Sequence, residues 1–318
     1  MTTEPKTLIE AIRYFADEDV CHEFVMQMRW ADGPVICPTC GRDDVRDIPT
    51  RKMWECRSKH PRRQFSVKVG TIFEGSPIAL DKWLAVVWMI ANAKNGVSSY
   101  EIARNIGVTQ KTAWFMMHRI RLAMDSESDG KFGGSVEVDE TFIGGLARFM
   151  HRIDRERKIK GTGGAGKVAV MGLLERHGPG RASRVRVKVV SNRRRSTLTG
   201  EIYKNVEVGS EVFTDALRSY DDLDKDYIHG VINHAEEYVR GRVHTNGIEN
   251  FWSLLKRTIR GTYVSVEPFH LARYLDEQAF RFNTRKDNDA GRFGRLVGSV
   301  VGKRITYREL TGMSTTPA

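Results

Sequence analysis

The sequence has few cysteines, no long hydrophobic run and no apolar segment at its amino terminus. Four cysteines are too few to hold a chain of 318 residues together by disulfides, and three of them lie between positions 37 and 56, which favours a metal site. A membrane-spanning helix needs about 18 to 20 consecutive apolar residues, and the run at residues 83–91 is shorter and flanked by charge. Because residues 1–6 lack the core of a signal peptide, we expect a cytoplasmic protein with no membrane partner.

Acidic residues are outnumbered, since 51 Lys and Arg against 40 Asp and Glu leave a formal net charge of +11. With 40% hydrophobic residues the composition is globular, and at roughly 100 to 200 residues per domain the length allows two or three domains. The basic excess predicts a polyanionic partner. Nucleic acid fits better than a membrane surface, because no strongly basic amphipathic helix stands apart from the fold. We therefore expect association with the nucleoid.

Changes in hydrophobic periodicity divide the chain into segments, with a polar, Gly-rich linker at residues 126–134. Beyond this linker, strand-like runs followed by two helical patterns indicate a mixed α/β or α+β domain. Within that domain, residues 148–166 are basic and then Gly-rich, which predicts a mobile surface loop. The predicted segments are N-terminal helices (1–30), a metal-binding module (31–76), a helical region (77–125), the α+β domain (135–285) and a C-terminal tail (286–318).

A metal-ligand pattern lies in the second segment. Cys37 and Cys40 form one pair in the motif CPTCG, and Cys56 and His60 form a second pair. Two thiolates opposed by a thiolate and an imidazole can close a tetrahedral shell around Zn²⁺ at about 2.0 to 2.3 Å, and four protein ligands leave no open position, so the ion would be structural. His60 is the weakest ligand because it lies in the basic run KHPRR. The alternative is a set of reduced, buried cysteines beside a surface histidine.

A helix-turn-helix pattern follows at residues 98–124. Ser98 or Ser99 can cap a first helix, Gly107 can turn the chain, and Thr109 can cap a second helix with an apolar stripe. The other face of the second helix would offer six side chains to a DNA groove or to phosphates, namely Gln110, Lys111, Thr112, His118, Arg119 and Arg121. The alternative is an ordinary helical hairpin with a solvated basic face. The adjacent metal module and the net charge favour DNA binding.

Three acidic residues beyond the linker are candidate ligands for catalytic metal ions. Alternation in VEVDETFIGG places Asp139 on one strand face, and Asp215 ends the apolar run EVFTD. Glu249 lies near the start of a predicted helix. Together these acids could hold two Mg²⁺ ions about 3.5 to 4 Å apart for phosphoryl transfer. Lys256 follows Glu249 by two helical turns on the same face, where it could hold a DNA phosphate.

Each of these residues also has a purely structural interpretation. Glu249 lies three residues after Asn246, which is the spacing of a capping box. Asp139 and Asp215 could be solvated carboxylates at strand ends, and Lys256 could be an ordinary surface cation. Considered alone, the residues leave both interpretations open.

The order of the motifs resembles the ISXO-like DDE transposases of insertion-sequence family 1595. RWADG and CPTCG are followed by FSVKVGTIFEGSPIAL, the helix-turn-helix, VEVDETFIGG, VFTDALRSY, HTNGIENFWSLLKRTIRGTY and YLDEQAFRFNTR, so the resemblance covers about residues 8–285. It implies an α+β multidomain protein, in which an N-terminal zinc ribbon and a helix-turn-helix are followed by a ribonuclease-H-like α/β/α catalytic domain. The ribbons of such proteins often have cysteine where this chain has His60, which leaves the fourth zinc ligand open.

The resemblance also implies roles for residues of the catalytic domain. Asp139 and Asp215 match the first two catalytic acids, and Lys256 matches the downstream lysine. The third catalytic position varies among Glu, Asn and His in the family. The candidates for it in this chain are Glu249, His244, Asn246 and Asn250. We choose Glu249 because a carboxylate binds Mg²⁺ best and because it shares a helix face with Lys256.

The implied function is that of an insertion-sequence transposase that binds terminal inverted repeats and catalyses DNA cleavage and strand transfer. The implied cofactors are two Mg²⁺ or Mn²⁺ ions in the catalytic site and a structural Zn²⁺. The implied partner is double-stranded DNA, from the transposon ends and the target, and joining two ends implies a homo-oligomer on DNA. One alternative is a catalytically silent DNA-binding regulator derived from a transposase, which the presence of three acids disfavours. The other is a ribonuclease-H-like nuclease without strand transfer, which leaves the DNA-binding segments without a purpose.

Overall fold

The computed structural model describes residues 5–31, 33–125, 130–144, 152–153, 156, 167–176, 178, 182–215, 217–220, 222–232 and 244–313. The chain divides into two units. The first unit comprises Met1–Asp125 and Asp287–Ala318, and the second comprises Ser126–Lys286. The loop predicted at residues 148–166 lies outside the described residues, apart from positions 152, 153 and 156. Within the described ranges, no helix has the length and apolar character needed to cross a membrane.

The first unit begins with two short helices, α1 (Leu8–Tyr14) and α2 (Glu18–Trp30). The side chains of Thr7 and Asp17 accept hydrogen bonds from backbone N–H groups in the first turns of these helices, which satisfies donors that have no partner within the helix. A small antiparallel sheet follows, in the order β1 (Val45–Ile48), β2 (Met53–Cys56) and β3 (Gln64–Phe65). The last residue of β2 is Cys56, one of the predicted zinc ligands.

Three further helices follow in the first unit, α3 (Leu80–Asn92), α4 (Ser99–Ile106) and α5 (Gln110–Ala123). Ser98 and Thr109 cap α4 and α5 through their side chains. Gly107, which ends α4, has a φ of 63°, a left-handed conformation that glycine adopts without steric penalty. The caps and the turn predicted between residues 98 and 124 are therefore present.

The C-terminal residues, interpreted from the sequence as a tail, contribute helices α9 (Asp289–Gly298) and α10 (Tyr307–Leu310) to the first unit. The ring of Phe293 on α9 lies 5.0 Å from that of Trp88 on α3, measured between centroids. Phe293, Leu296, Val297 and Val300 recur at helical spacing and are buried, so the sequence contains the pattern of an amphipathic helix here. The partner of that apolar face could not be predicted, because α3 lies about 200 residues earlier in the sequence.

The second unit is built on a mixed sheet. Its described strands have the order β6-β5-β4-β7-β8, with β4 antiparallel to β5, β5 antiparallel to β6, and β7 and β8 parallel to β4. The strands are β4 (Ser135–Ile143), β5 (Val168–Glu175), β6 (Arg184–Val190), β7 (Glu211–Asp215) and β8 (Ile228–Ile232). Each coincides with a strand-like run of the sequence. The C-terminal ends of β4, β7 and β8 lie at the same edge of the sheet.

Helices cover both faces of this sheet. On one face, α6 (Arg195–Asn205) packs Leu198 and Ile202 into a core with residues of β4, β5 and β7. On the other face lie α7 (Asn246–Thr258) and α8 (Leu271–Asn283), which share a core with Val170 and Leu174 of β5. The sequence had predicted α7 and α8 but not α6, whose only buried residues are Leu198 and Ile202. Two apolar positions do not define a helical period.

Candidate metal centre and carboxylate site

The four predicted zinc ligands lie together in the first unit. The donor atoms of Cys37, Cys40, Cys56 and His60 are all within 4.8 Å of one another. The Cys37 Sγ lies 3.5 Å from His60 Nε2, and the Cys40 Sγ lies 3.6 Å from the Cys56 Sγ. Three soft thiolates and an imidazole are the donor set of structural zinc sites, so these residues fit Zn²⁺.

The surroundings prepare His60 and Cys56 for metal binding. His60 Nδ1 lies 2.7 Å from the Pro61 carbonyl oxygen, so Nδ1–H donates there and Nε2 remains for a metal, which is the usual arrangement of a zinc-bound histidine. Burial alone would raise the pKa of Cys56, but hydrogen bonds from His60, the Ser58 backbone and Cys40 lower that pKa to about 6. Cys56 is thereby biased toward the thiolate form, which is the form that binds metal.

The structure corrects part of the predicted DNA-binding face of α5. His118, Arg119 and Arg121 are buried, with 0%, 4% and 1% of their surface exposed. The Arg119 guanidinium donates to the backbone carbonyls of Glu74 and Ile305, at 2.6 and 3.3 Å, so it serves packing within the first unit. The polar face assigned to these residues therefore does not reach solvent.

The N-terminal turn of α5 differs from the rest of that helix. Lys111 is exposed, and Gln110 and Thr112 are partly exposed. The Gln110 side chain donates to the Ser99 hydroxyl at 2.8 Å, which ties α5 to α4. The accessible part of the predicted recognition helix is therefore its first turn.

In the second unit, Asp139 and Asp215 lie on neighbouring parallel strands. The register pairs Glu137 of β4 with Phe213 of β7, so two residues further on Asp139 and Asp215 reach the same level of the sheet and the same face. On the opposite side of β4, Asp139 pairs with Gly172 of β5. The topology thus brings together two acids that are far apart in the sequence.

Both oxygens of the Asp139 carboxylate are held by hydrogen bonds. The Glu140 backbone N–H donates to Oδ1 at 2.8 Å, and the indole Nε1–H of Trp252 on α7 donates to Oδ2 at 2.9 Å. A β-carbon at Gly172 would lie 2.6 Å from the Trp252 ring, so only glycine opposite Asp139 leaves room for the indole. These contacts fix the orientation of the first acid against α7.

Glu249 lies in the first turn of α7, and its Oε1 accepts a hydrogen bond from the Thr245 hydroxyl at 3.0 Å. No side-chain cap is formed at the start of this helix, so the capping-box interpretation, in which Glu249 bonds to the backbone of Asn246, does not describe the structure. The carboxylate lies within electrostatic range of Asp139.

Glu137, an acid of β4 that is not one of the three candidate ligands, holds the start of α7. Glu137 is 1% exposed, accepts a hydrogen bond from the Ile248 backbone N–H at 2.8 Å, and pairs with Arg176 at 2.6 Å. A β-carbon at Gly247 would lie 2.9 Å from the Glu137 carboxylate, which explains a glycine in this helix. His244 Nδ1 lies 2.7 Å from the Arg176 guanidinium, so this ring is already engaged and fits a third metal ligand less well than Glu249.

The electrostatics of the site reflect crowded acids. Burial, together with the charges of Asp215 and Glu249, raises the pKa of Asp139 to about 6. Burial and the charges of Asp215 and Asp139 raise the pKa of Glu140 to about 8, and the Glu140 Oε1 is buried without a hydrogen-bond partner. Burial lowers the pKa of Lys256, against the effect of the Asp139 charge. Desolvated carboxylates of this kind fit hard divalent cations such as Mg²⁺.

The three acids are not drawn together as closely as the zinc ligands. Among the residues that the structure describes, Cys37, Cys40, Cys56 and His60 are the only group of three or more potential ligands whose donor atoms all lie within 4.8 Å of one another. The three acids therefore do not form a group of that compactness in this structure.

Four residues of this region had not been predicted as part of the site, namely Glu137, Glu140, Gly172 and Trp252. Trp252 follows Glu249 by three residues, a spacing that places both on one side of a helix. Helical spacing could therefore have placed Trp252 near the site. The roles of Gly172 and Glu137 depend on strand register and on contacts with α7, which the sequence alone does not give.

Comparison with known proteins points to one family. Residues 131–283 match the ISXO2-like transposase domain, and residues 16–58 match the transposase zinc-ribbon domain. An uncharacterised protein in the transposable element ISH50 of Halobacterium salinarum is 28% identical over 284 residues, which cover 85% of this chain and 94% of that protein. A transposase-like protein of Haemophilus influenzae is 38% identical over 96 residues, which cover 30% of this chain and 77% of that protein.

Proposed function

The chain belongs to the ISXO2-like transposase family, and we propose that it binds the terminal inverted repeats of an insertion sequence, cleaves the DNA at those ends and joins the ends to target DNA. The observation that carries this proposal is the pair Asp139 and Asp215 at one level of neighbouring parallel strands, with Glu249 on the helix above them. Phosphoryl transfer needs positioning and charge stabilisation rather than a covalent nucleophile.

We assign the second unit to the ribonuclease-H-like α/β/α fold. Three antiparallel strands followed by two parallel ones, helices on both faces and acids on the two adjacent parallel strands support this assignment. We assign α4 and α5 to a helix-turn-helix that contacts the terminal repeats, supported by their caps and by the exposed first turn of α5.

The proposed roles follow from the contacts of each side chain. Asp139, Asp215 and Glu249 would hold two Mg²⁺ or Mn²⁺ ions, and these ions supply activation of the attacking hydroxyl and stabilisation of the leaving oxygen when bound. Trp252 orients Asp139 by holding Oδ2. Lys256, partly buried on the same helix, binds a phosphate beside the carboxylates. A Zn²⁺ held by Cys37, Cys40, Cys56 and His60 stabilises the ribbon and takes no part in the chemistry.

The test is a strand-transfer assay with full-length protein, Mg²⁺, a labelled duplex of the element's end and a plasmid target. We expect joined products from the wild-type protein and none from Asp139→Asn or Asp215→Asn. Cleavage without joining in the wild-type protein would instead identify a nuclease, and binding without cleavage would identify a regulator.

Glu249→Gln tests the third ligand, with Glu201→Gln as its matched control. Glu201 is an acid of α6 in the same unit, and it pairs with Lys188 of β6 at 2.8 Å. Its substitution should leave joining intact. If Glu249→Gln still joins DNA ends and a variant of Asn246 or Asn250 does not, then that asparagine is the third ligand instead of Glu249.

A further inference from the structure

The C-terminal segment runs along the full length of α5. Lys303 donates to the carbonyl of Asp125 at 3.1 Å, just beyond the C-terminal end of the helix. The Ile305 carbonyl accepts from Arg119 at 3.3 Å. The Tyr307 ring lies 5.6 Å from that of Phe115, and the Lys111 Nζ lies 4.7 Å from the Tyr307 centroid. The segment therefore follows α5 from its C-terminal end to its first turn.

This path explains why Arg119, one of the residues predicted to contact DNA, is covered. Lys111, Phe115 and Arg119 are spaced by four residues and form one stripe of α5. The segment from Lys303 to Tyr307 lies on that stripe, while Ala113, Met117 and Ile120 are buried on another side of the helix. Of the residues predicted to contact DNA, the ones left accessible are those of the first turn.

The segment ends at that turn in a short helix that carries one exposed arginine. Helix α10 has a capping box formed by Thr306 and Glu309, and Leu310 is 3% exposed, so the helix is anchored. Arg308 lies between these anchors and is exposed, and it forms no ion pair with any residue in the part of the chain that the structure describes. The Glu309 carboxylate is held at the cap, where it accepts from the Thr306 backbone N–H at 2.6 Å.

We propose that α10 forms part of the duplex-binding surface together with the first turn of α5, with Arg308 binding a DNA phosphate and Tyr307 holding Lys111 toward the groove. In a helix-turn-helix, the N-terminal residues of the second helix contact base edges, and neighbouring basic residues contact the backbone. The aromatic face of Tyr307 stabilises the lysine cation in one position. This inference rests on the proposed DNA binding by α4 and α5.

The test is equilibrium binding of full-length protein to a duplex of the element's end and to an unrelated duplex of the same length, over a series of salt concentrations. Arg308→Ala should weaken binding to both duplexes by a similar factor, about 3- to 10-fold, and should reduce the slope of log K against log salt by about one. Arg295→Ala is the control, because Arg295 is an exposed arginine of the same unit that pairs with Asp287. It should leave affinity and slope unchanged.

Tyr307 is tested separately, because its contribution passes through Lys111. Tyr307→Ala and Lys111→Ala should each reduce the preference for the element's end, and the double variant should lose less than the product of the two single effects. Tyr307→Phe keeps the aromatic face and should behave as wild type. Melting temperatures of all variants identify any that fail to fold, and Arg308→Ala changes only an exposed side chain.

Two outcomes would overturn the inference. Unchanged affinity and salt slope in Arg308→Ala would show that α10 lies outside the duplex-binding surface. Tighter binding in that variant would show that the segment opposes DNA binding. Failure of the wild-type protein to prefer the element's end at any salt concentration would instead refute the proposed function, and the two failures are thus distinguishable.

Discussion

The two candidate metal sites of this protein are assembled in different ways. The cysteine–histidine cluster takes its ligands from residues 37–60, and all four donor atoms lie within 4.8 Å of one another. The carboxylate site takes its candidate ligands from two strands and a helix, and burial together with the charges of Asp215 and Glu249 raises the pKa of Asp139. The first arrangement is complete and suits a structural ion, whereas the second is electrostatically unfavourable without a cation. Ligand removal should therefore affect stability in opposite directions at the two sites.

The largest effect is expected at the zinc ribbon. Cys37→Ser removes a ligand from a closed site, and structural zinc contributes on the order of 10 kcal/mol to the folding of small modules. We expect zinc content to fall below one ion per chain and the near-ultraviolet signal of the ribbon aromatics, which include Trp54, to be lost. Cys21→Ser is the matched control, because the Cys21 thiol is buried outside the cluster and donates to the Phe15 carbonyl. One zinc per chain in Cys37→Ser would refute the ligand assignment.

The next largest effect on stability is expected at the buried ion pair between Glu137 and Arg176 in the second unit. Arg176→Met leaves the Glu137 carboxylate buried without its cation, which typically costs about 3 to 5 kcal/mol of unfolding free energy. The double variant Glu137→Gln with Arg176→Met should lose less than the sum of the single variants, because it removes both charges. Urea unfolding of the four proteins measures this coupling. Strict additivity would show that the pair does not hold the start of α7.

At the carboxylate site, removal of an acid should raise the free energy of unfolding rather than lower it, and the size of this effect should depend on pH. The pKa of Asp139 rises from 3.8 to about 6 on folding, so between about pH 4 and 6 the folded state binds more protons than the unfolded state. The free energy of unfolding should therefore fall as pH rises through this window. Asp139→Asn removes the penalty and should be more stable than wild type by about 2 to 3 kcal/mol at pH 7 in the absence of divalent ions.

Thermal unfolding at pH 4 and pH 7, with chelator and with Mg²⁺, checks this expectation. At pH 4 the two proteins should differ little, because Asp139 is then largely protonated in the folded state. Mg²⁺ at pH 7 should raise the melting temperature of the wild-type protein more than that of Asp139→Asn. A variant that is less stable than wild type at pH 7 would contradict a crowded, ion-free carboxylate site.

The same contrast explains how far the sequence predicts the structure. The three cysteines and the histidine of the metal cluster follow a local spacing. The five described strands of the second unit and its helices α7 and α8 follow local periodicity, so the sequence predicts these features directly. The burial of Arg119 was not predicted, because it depends on Ile305, which is 186 residues away. The glycine at 172 likewise acquires its meaning only from the register that sets it opposite Asp139. Local patterns give elements and ligand types, whereas long-range packing decides which of them reach solvent.

The smallest effect, on chemistry alone, is expected from Trp252→Phe. Phenylalanine keeps most of the packing over Gly172 but cannot donate to Asp139 Oδ2. Loss of such a contact to a metal ligand typically lowers activity by about 10- to 100-fold, and we expect the lower end because the Glu140 backbone still holds Oδ1.

Trp83→Phe is the matched control, since Trp83 is a buried tryptophan of the first unit whose indole donates to Ser76 at 3.1 Å. Strand-transfer rates over a Mg²⁺ series should show a higher Mg²⁺ requirement for Trp252→Phe and an unchanged one for Trp83→Phe. Equal requirements in both variants would mean that Trp252 only fills space above the sheet.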